Sequence, residues 1–241
     1  MSNLIMGKNT ISEVLKYKSS ALLEIFTSKD KTDPLIQDLK NKNITLKFVS
    51  KKTLSSMVKS ESHQNIIAKI KDRNYFNLKD FFKKNEDKES LLVLMLDNIF
   101  DPQNLGAILR SANCFSVDGV IFSKNRGSDI TPTVSKAASG ATELIDLIKV
   151  SNLANSLDLF IDAGFSVIST VLDENSQDLY KFKFPKKTVL IMGSEGEGIQ
   201  KLLLKKSDYK VHILMSGQLQ SLNVAGAAAI ILYTFQIKNR K

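Results

Sequence analysis

The chain has 241 residues, 43% hydrophobic and 24% charged, with 4 prolines and 11 glycines. That suits a large single domain, or a small domain followed by a medium one, and argues against long disordered tracts. The formal net charge is +9 and unevenly placed: residues 1–75 hold 14 basic against 7 acidic side chains, residues 76–90 four against four, and residues 91–241 16 against 14. A positive field over the first 75 residues raises the local concentration of a polyanion without conferring sequence specificity. A lysine-rich proteome gives the same excess, so charge alone decides nothing. The first seven residues lack the regions of a secretory signal. The longest apolar run, Val224 to Tyr233, is about half a membrane span and reads as a buried helix. Cys114, alone in the chain, forms no internal disulfide. These readings place the chain in the reducing cytoplasm, away from membranes.

In chain order, Lys8 to Lys18 carries Ile11, Val14 and Leu15 at helical spacing, and Leu22 to Phe26 reads as a strand. Asp33-Pro34 is a helix start, an acceptor followed by proline at the first helical position, with Leu35, Ile36 and Leu39 turned inward. Thr45 to Val49 alternates as a strand, Ser50 can cap a short helix bearing Leu54 and Val58, and Ile66 to Ile70 closes the unit as a strand. The result is a small basic α/β module over residues 1–75. Residues 76–90 include the charged stretch Lys83 to Glu89 and read as a linker or exposed helix, with Phe76, Leu78, Phe81 and Phe82 able to dock it.

From Leu91 onward strands and helices alternate. Leu91 to Leu96 is a continuous apolar run, as expected of a parallel strand buried on both faces. Further strands are expected at Val117–Ser123, Phe165–Val171, Thr188–Met192 and Lys210–Met215, with helices at 104–115, 132–140, 152–163, 198–206 and 221–237. The pattern predicts an α/β fold with a mostly parallel sheet, in residues 91–241, whose ligands sit beyond the C-terminal strand ends.

Three motifs fall at such ends. In the first, Leu96 to Ala112, Asn104 can cap a helix in which Arg110 stands among small and apolar neighbours. Its guanidinium can serve a phosphate or a developing oxyanion, or it snorkels or pairs with Asp97 or Asp101. The second, Val189 to Ile199, places Gly193, Gly196 and Gly198 after a strand, with Glu195 and Glu197 between them. Glycines allow close ligand approach, and the two acids disfavour a pyrophosphate, so an adenosine or a cationic sulfonium suits the loop better; a plain tight turn is the alternative. The third, Ile213 to Ala229, ends a strand in a polar loop from which Ser221 and Asn223 open a helix of small residues. Asn223 either caps that helix or holds a substrate.

Taken together, Asn-x-Gly-Ala-Ile-x-Arg at 104–110, Gly-x-Glu-Gly-x-Gly at 193–198 and Ser-Leu-Asn-Val at 221–224 resemble the SpoU (TrmH-type) branch of the SPOUT methyltransferases, over residues 91–237. Gly7 to Leu15 and His63 to Ala68 are similar to that family's N-terminal substrate-binding module, a ribosomal-protein-like RNA-binding unit. The resemblance is strongest to bacterial enzymes that methylate a guanosine ribose of 23S rRNA. It implies a C-terminal trefoil knot, a homodimer and S-adenosylmethionine as cofactor. It also implies methyl transfer to a ribose 2′-hydroxyl of RNA, with tRNA as alternative substrate and a non-catalytic RNA-binding protein of the same fold as alternative function. By the same resemblance Gly193, Glu195, Gly196, Ile213, Met215 and Leu222 hold the cofactor, while Asn104, Arg110, Glu195, Ser221 and Asn223 occupy catalytic and substrate-side positions. A guanidinium stays charged near neutral pH, so Arg110 is expected to bind phosphate and stabilise the alkoxide rather than act as the base. No metal is expected, because His63 and His212 lack the neighbours a metal site requires. The chain departs from the family pattern at Asn65, usually glycine, at Leu214, usually proline, and at Ala225-Gly226, usually Ser-Val.

Overall fold

The structure, a computed structural model, describes residues 3–194, 196–219 and 221–239. In chain order its elements are β1 (Leu4–Met6), α1 (Lys8–Tyr17), β2 (Leu22–Thr27), α2 (Pro34–Asn41), β3 (Thr45–Phe48), α3 (Lys51–Val58), β4 (Ile66–Ile70), α4 (Leu78–Lys84), β5 (Leu91–Leu96), α5 (Pro102–Cys114) and β6 (Gly119–Ser123). There follow α6 (Pro132–Ala137), β7 (Leu147–Val150), α7 (Leu153–Asp162), β8 (Ser166–Thr170), β9 (Gln177–Asp178), β10 (Lys187–Met192), α8 (Lys201–Lys205), β11 (Tyr209–His212) and α9 (Val224–Asn239). Contacts divide the chain into two compact units: Met1–Asn74 with Asp129–Leu144, and Tyr75–Ser128 with Ile145–Lys241.

The first unit is built on a sheet in the order β1-β4-β2-β3. Strand β4 is antiparallel to β1 and β2, and β3 is parallel to β2. Ile11, Val14 and Leu15 of α1 and Leu35, Ile36 and Leu39 of α2 pack with Ile25, Ile66 and Ala68 of the sheet in one apolar core. Asp33 caps α2 by accepting from the Leu35 amide at 3.0 Å, and Ser50 caps α3 through the Thr53 amide at 3.1 Å. The His63-Gln64-Asn65 turn is a local framework. His63 accepts from the Asn65 amide at Nδ1 and meets Ser55 Oγ at Nε2, while Gln64 Oε1 accepts from the Lys8 amide. Asn65 has φ +62°, a left-handed conformation that asparagine tolerates better than most residues, so it can stand where the family pattern has glycine.

Residues 129–144, which the sequence pattern keeps with the later strands, pack in this first unit. What fixes them is a buried charge pair. Arg73 donates from Nη2 and, at 3.2 Å, from Nε to Glu143 Oε1, and both side chains are below 8% exposed. Arg73 also reaches the Ile130 carbonyl, and Lys18 Nζ reaches that of Glu143 at 2.8 Å. Thr10 Oγ1 donates to the Ser135 carbonyl at 3.3 Å.

The second unit carries a sheet in the order β7-β6-β5-β10-β8-β11-β9, with every neighbouring pair parallel. All six residues of β5 are buried, as a central strand covered on both faces requires. The stretch expected as a linker or exposed helix contains α4, whose Phe81 is fully buried in the core with Val93, Met95 and Phe160, while Phe76, Leu78 and Phe82 pack beside it. Gly119 makes room for that ring, because a Cβ there would lie 2.7 Å from Phe81 Cε2. Burying such a side chain is worth about 1.5–3 kcal/mol. Helix α9 packs along α5, with the Phe115 and Tyr233 rings 5.9 Å apart. Strands β1, β7 and β9 were not expected from the pattern. Strand β11 ends at His212, three residues before the expected Met215, which frees Ile213, Leu214 and Met215 from the ladder.

Candidate active site

The C-terminal ends of β8, β10 and β11 and the start of α9 enclose an open cavity of about 200 Å³. Its floor is Met192, Gly193, Ser194 and Gly198; Thr170, Val171 and Leu172 close one side, and Val211, His212, Ile213 and Met215 another. Ser221, Leu222, Val224, Ala227 and Ile231 complete the wall. Strand-end loops form the cavity because parallel strands deliver every such loop to the same edge of the sheet. The walls are mostly apolar and present no lysine or arginine among the described residues, which fits a nucleoside and not a phosphate. The hydroxyls of Ser194 and Ser221 supply polar points, and Thr170 Oγ1 donates to the Ile191 carbonyl at 3.0 Å.

Gly193 is indispensable to this shape. A Cβ built on it would collide with the backbone carbonyl of Gly198 and the Ile199 amide. The loop therefore closes glycine against glycine, with Ser194 and Gly198 forming a short antiparallel bridge and the Gly198 amide donating to the Ser194 carbonyl at 3.1 Å. Gly198 has φ +67°, the left-handed region where glycine carries no Cβ penalty.

Among the residues expected to hold the cofactor, Gly193, Ile213, Met215 and Leu222 line the cavity, as does Ser221. Gly196 is absent from its lining, and Glu195 lies outside the described residues. Asn104 and Asn223, 119 positions apart, are brought together: Asn223 Nδ2 donates to Asn104 Oδ1 at 2.9 Å. The Asn223 Oδ1 atom also accepts from the Ala225 amide at 2.9 Å, capping α9. Asn223 thus caps its helix and offers its amide to the facing one at the same time. The start of α5 differs from expectation. Asp101, not Asn104, is its N-cap, accepting from the Gln103 and Asn104 amides, with Pro102 at the first helical position. That leaves the Asn104 side chain available to Asn223.

Arg110 is exposed on α5 and makes no hydrogen bond or ion pair to another described residue. Neither acid weighed as its partner takes it, because Asp101 caps the helix and the buried Asp97 accepts from Gln200. Thr170 and Leu172 line the cavity without having been singled out in the sequence, and His212, weighed there only as a metal ligand, lines it as well. The end of β8 carries no glycine, and the polar turn Asp173-Glu174-Asn175-Ser176 that follows it reads as an ordinary loop. His212 Nδ1 lies 2.9 Å from Ser176 Oγ. Among the described residues no group of three or more His, Cys, Asp or Glu side chains is placed to hold a metal ion. No described helix is long and apolar enough to cross a membrane.

Two family models match this chain in tandem: the SpoU rRNA methylase family over residues 91–233, and the RNA 2′-O ribose methyltransferase substrate-binding family over residues 4–76. The chain belongs to the SpoU rRNA methylase family. It is 37% identical over 238 residues to a 23S rRNA (guanosine-2′-O-)-methyltransferase RlmB of Photobacterium profundum, covering 97% of each chain. A putative TrmH family tRNA/rRNA methyltransferase of Staphylococcus aureus is 34% identical over 95% of this chain and 94% of its own. Among solved structures, an AdoMet-bound rRNA methyltransferase from Sinorhizobium meliloti superposes with a TM-score of 0.79 at 21% identity, covering all of this chain and 88% of the other. That likeness supports the α/β SpoU fold with its parallel sheet.

Proposed function

We propose that the protein transfers a methyl group from S-adenosylmethionine to the 2′-hydroxyl of a guanosine in 23S rRNA. The observation that carries this is the cavity at the strand ends, which gathers residues from the second and third motifs around a glycine-floored, mostly apolar pocket. Similarity along nearly the whole chain to the 23S rRNA guanosine methyltransferases supports the substrate. The pocket suits the adenosyl group: Leu172, Ile213 and Leu222 give it apolar cover, and the Gly193–Gly198 contact keeps side chains off its floor. When bound there, the cofactor supplies a methyl already activated by the sulfonium charge, so the protein contributes chiefly orientation and charge stabilisation.

The chain's own residues divide that work. Leu222, Gly193, Ile213 and Met215, which line the cavity, hold the cofactor, and family resemblance adds Glu195. The Asn104–Asn223 hydrogen bond ties the start of α5 to the start of α9, so that Ser221 and Asn223 face the substrate side in fixed register. Arg110 offers an unengaged, permanently charged fork of donors to an RNA phosphate and to the alkoxide as the hydroxyl proton departs. The proton passes to water or phosphate.

The same reading extends to assembly. The turn from β10 through β11 into α9 forms the trefoil knot of the family, and two chains pair through α9, where Ile230, Tyr233 and Ile237 stand 40%, 53% and 54% exposed at helical spacing. Such a stripe is costly to leave in water. The N-terminal module binds the RNA and presents the basic residues of the first 75. The enzyme works in the cytoplasm without a metal.

Incubation with labelled S-adenosylmethionine and unmodified 23S rRNA should yield one 2′-O-methylguanosine, mapped as the linkage that resists alkaline cleavage. Methylation of tRNA but not rRNA would move the substrate. No methylation of either, with no cofactor binding by calorimetry, would sink the reading.

A further inference from the structure

The loop that floors the cavity is pinned from beneath by a buried carboxylate. Asp97 follows β5 directly and is 0% exposed. Strand β5 pairs in register with β10, Leu96 opposite Met192, so Asp97 stands beside the point where the chain leaves the sheet into Gly193. Beyond the glycine loop the chain returns to the same carboxylate. The Gln200 amide donates to Asp97 Oδ2 at 2.7 Å and Gln200 Nε2 to Oδ1 at 2.5 Å. A buried carboxylate without a bonded partner is costly. Here one residue satisfies both oxygens, and no basic side chain pairs with Asp97 among the described residues.

The other end of the Gln200 amide is also committed. Its Oε1 accepts from Arg126 Nη1 at 2.8 Å. The amide therefore reads an anion with its NH₂ and a cation with its oxygen, and turning it over would set oxygen against carboxylate and NH₂ against guanidinium. Its orientation is fixed by charge on both sides, not by packing. Gln200 is in turn the residue from which α8 starts, and Ile199 before it is buried. Asp97 thus holds both feet of the Gly193–Gly198 loop, one by its main-chain amide, which donates to the Met192 carbonyl at 2.9 Å, and the other by its carboxylate through Gln200.

We propose that Gln200 is a positioning residue for methyl transfer, which by bridging Arg126 to the buried Asp97 holds the Gly193–Gly198 loop in its cofactor-binding shape. This rests on the reading of the cavity as the S-adenosylmethionine site. It assigns to Gln200, Asp97 and Arg126 a role outside the three motifs' contacts with cofactor and substrate.

Polarity makes the test sharp. Gln200→Glu sets carboxylate against carboxylate, and Asp97→Asn sets NH₂ against NH₂, although both changes preserve volume. Combining the two substitutions restores every contact, with polarity reversed only between the two side chains. The carboxamide now at position 97 accepts from the main-chain amide of residue 200 and donates to the carboxylate now at position 200, which still accepts from Arg126. Calorimetric affinity for S-adenosylmethionine should fall about tenfold or more in each single variant and recover to within about threefold in the double. At saturating cofactor, kcat should change far less than KM for the cofactor. Thermal unfolding of each variant separates loop placement from loss of fold. Ala227→Leu, which fills the cavity, serves as reference and should abolish cofactor binding. Wild-type affinity in both single variants, or a double variant as impaired as the worse single one, overturns the proposal. Unchanged affinity in Ala227→Leu overturns the cavity reading itself, and this inference with it.

Discussion

Removing Arg73 should destabilise the first unit more than any single apolar truncation on its surface. The guanidinium and the Glu143 carboxylate are 7% and 4% exposed, so solvent screens their pairing little. Arg73→Met leaves a buried carboxylate with one remaining side-chain donor among the described residues, the Thr142 hydroxyl at 3.1 Å. Breaking a buried pair from one side costs about 3–5 kcal/mol, a large part of the ~5–15 kcal/mol that a domain commands. With a urea dependence of about 2 kcal/mol per molar, the first unfolding midpoint should drop by roughly 2 M, read by far-ultraviolet circular dichroism. The double variant Arg73→Met with Glu143→Leu removes both charges, and Thr142 can then bond Ser135 Oγ, already 3.2 Å away. It should recover at least about 2 kcal/mol relative to Arg73→Met alone. A single-variant loss under about 1 kcal/mol, or a double variant no better than the singles combined, would refute the idea that this pair closes the unit around residues 129–144.

Three further outcomes follow from the same kind of reasoning. Gly193→Ala forces a Cβ into the Gly198 backbone and should lower cofactor affinity by about tenfold or more, whereas Gly226→Ala, where a built Cβ meets nothing within 4 Å, should leave affinity unchanged in calorimetry. Lys238 Nζ donates to the carbonyls of Leu179 at 3.0 Å, Tyr180, and Phe182 at 2.9 Å, so Lys238→Met should cost about 1–3 kcal/mol in thermal or urea unfolding. The Asp33 carboxyl sits below its ordinary range because Lys29 hydrogen-bonds it, with the Leu35 amide adding to the effect. A depressed folded-state value means this stability is complete above the ordinary carboxylate value of about 3.9 and is lost as pH falls from there through the lowered one. Asp33→Asn keeps the cap but should flatten that acid dependence in a pH series of melts; an unchanged profile would assign the acid loss elsewhere.

How much of this is readable without coordinates depends on how far apart the deciding atoms lie along the chain. Leu91 to Leu96 announces a doubly covered strand because every one of its residues must be apolar. Asp33-Pro34 and Ser50 announce helix starts because the groups that satisfy the first free amides are next to them. Strand β7, Leu-Ile-Lys-Val, escapes notice because Lys149 breaks the apolar run, and β9 is two residues long. The strand-end motifs point to one edge of the sheet, and Gly193, Ile213, Met215, Ser221 and Leu222 do share a cavity there. Their companions Thr170 and Leu172 stay hidden because nothing local distinguishes the end of β8 from any other strand end.

The contacts that sequence reading does not supply are polar pairs between residues distant in the chain: Arg73 with Glu143, Asp97 with Gln200, Asn104 with Asn223. Each residue has an adequate local reading of its own, as a surface charge, a turn or a cap. Asp97 and Asp101 show how such readings compete. In sequence both are open as partners for Arg110, four residues apart in one turn. Asp101 is consumed by the two amides at the start of α5, a local need visible in Asp-Pro. Asp97 is consumed by Gln200, 103 residues away, a need created only when β5 and β10 pair. Arg110 is left on the surface because both acids are better satisfied elsewhere, and it is that double commitment that leaves its charge open to the phosphate-binding role proposed for it.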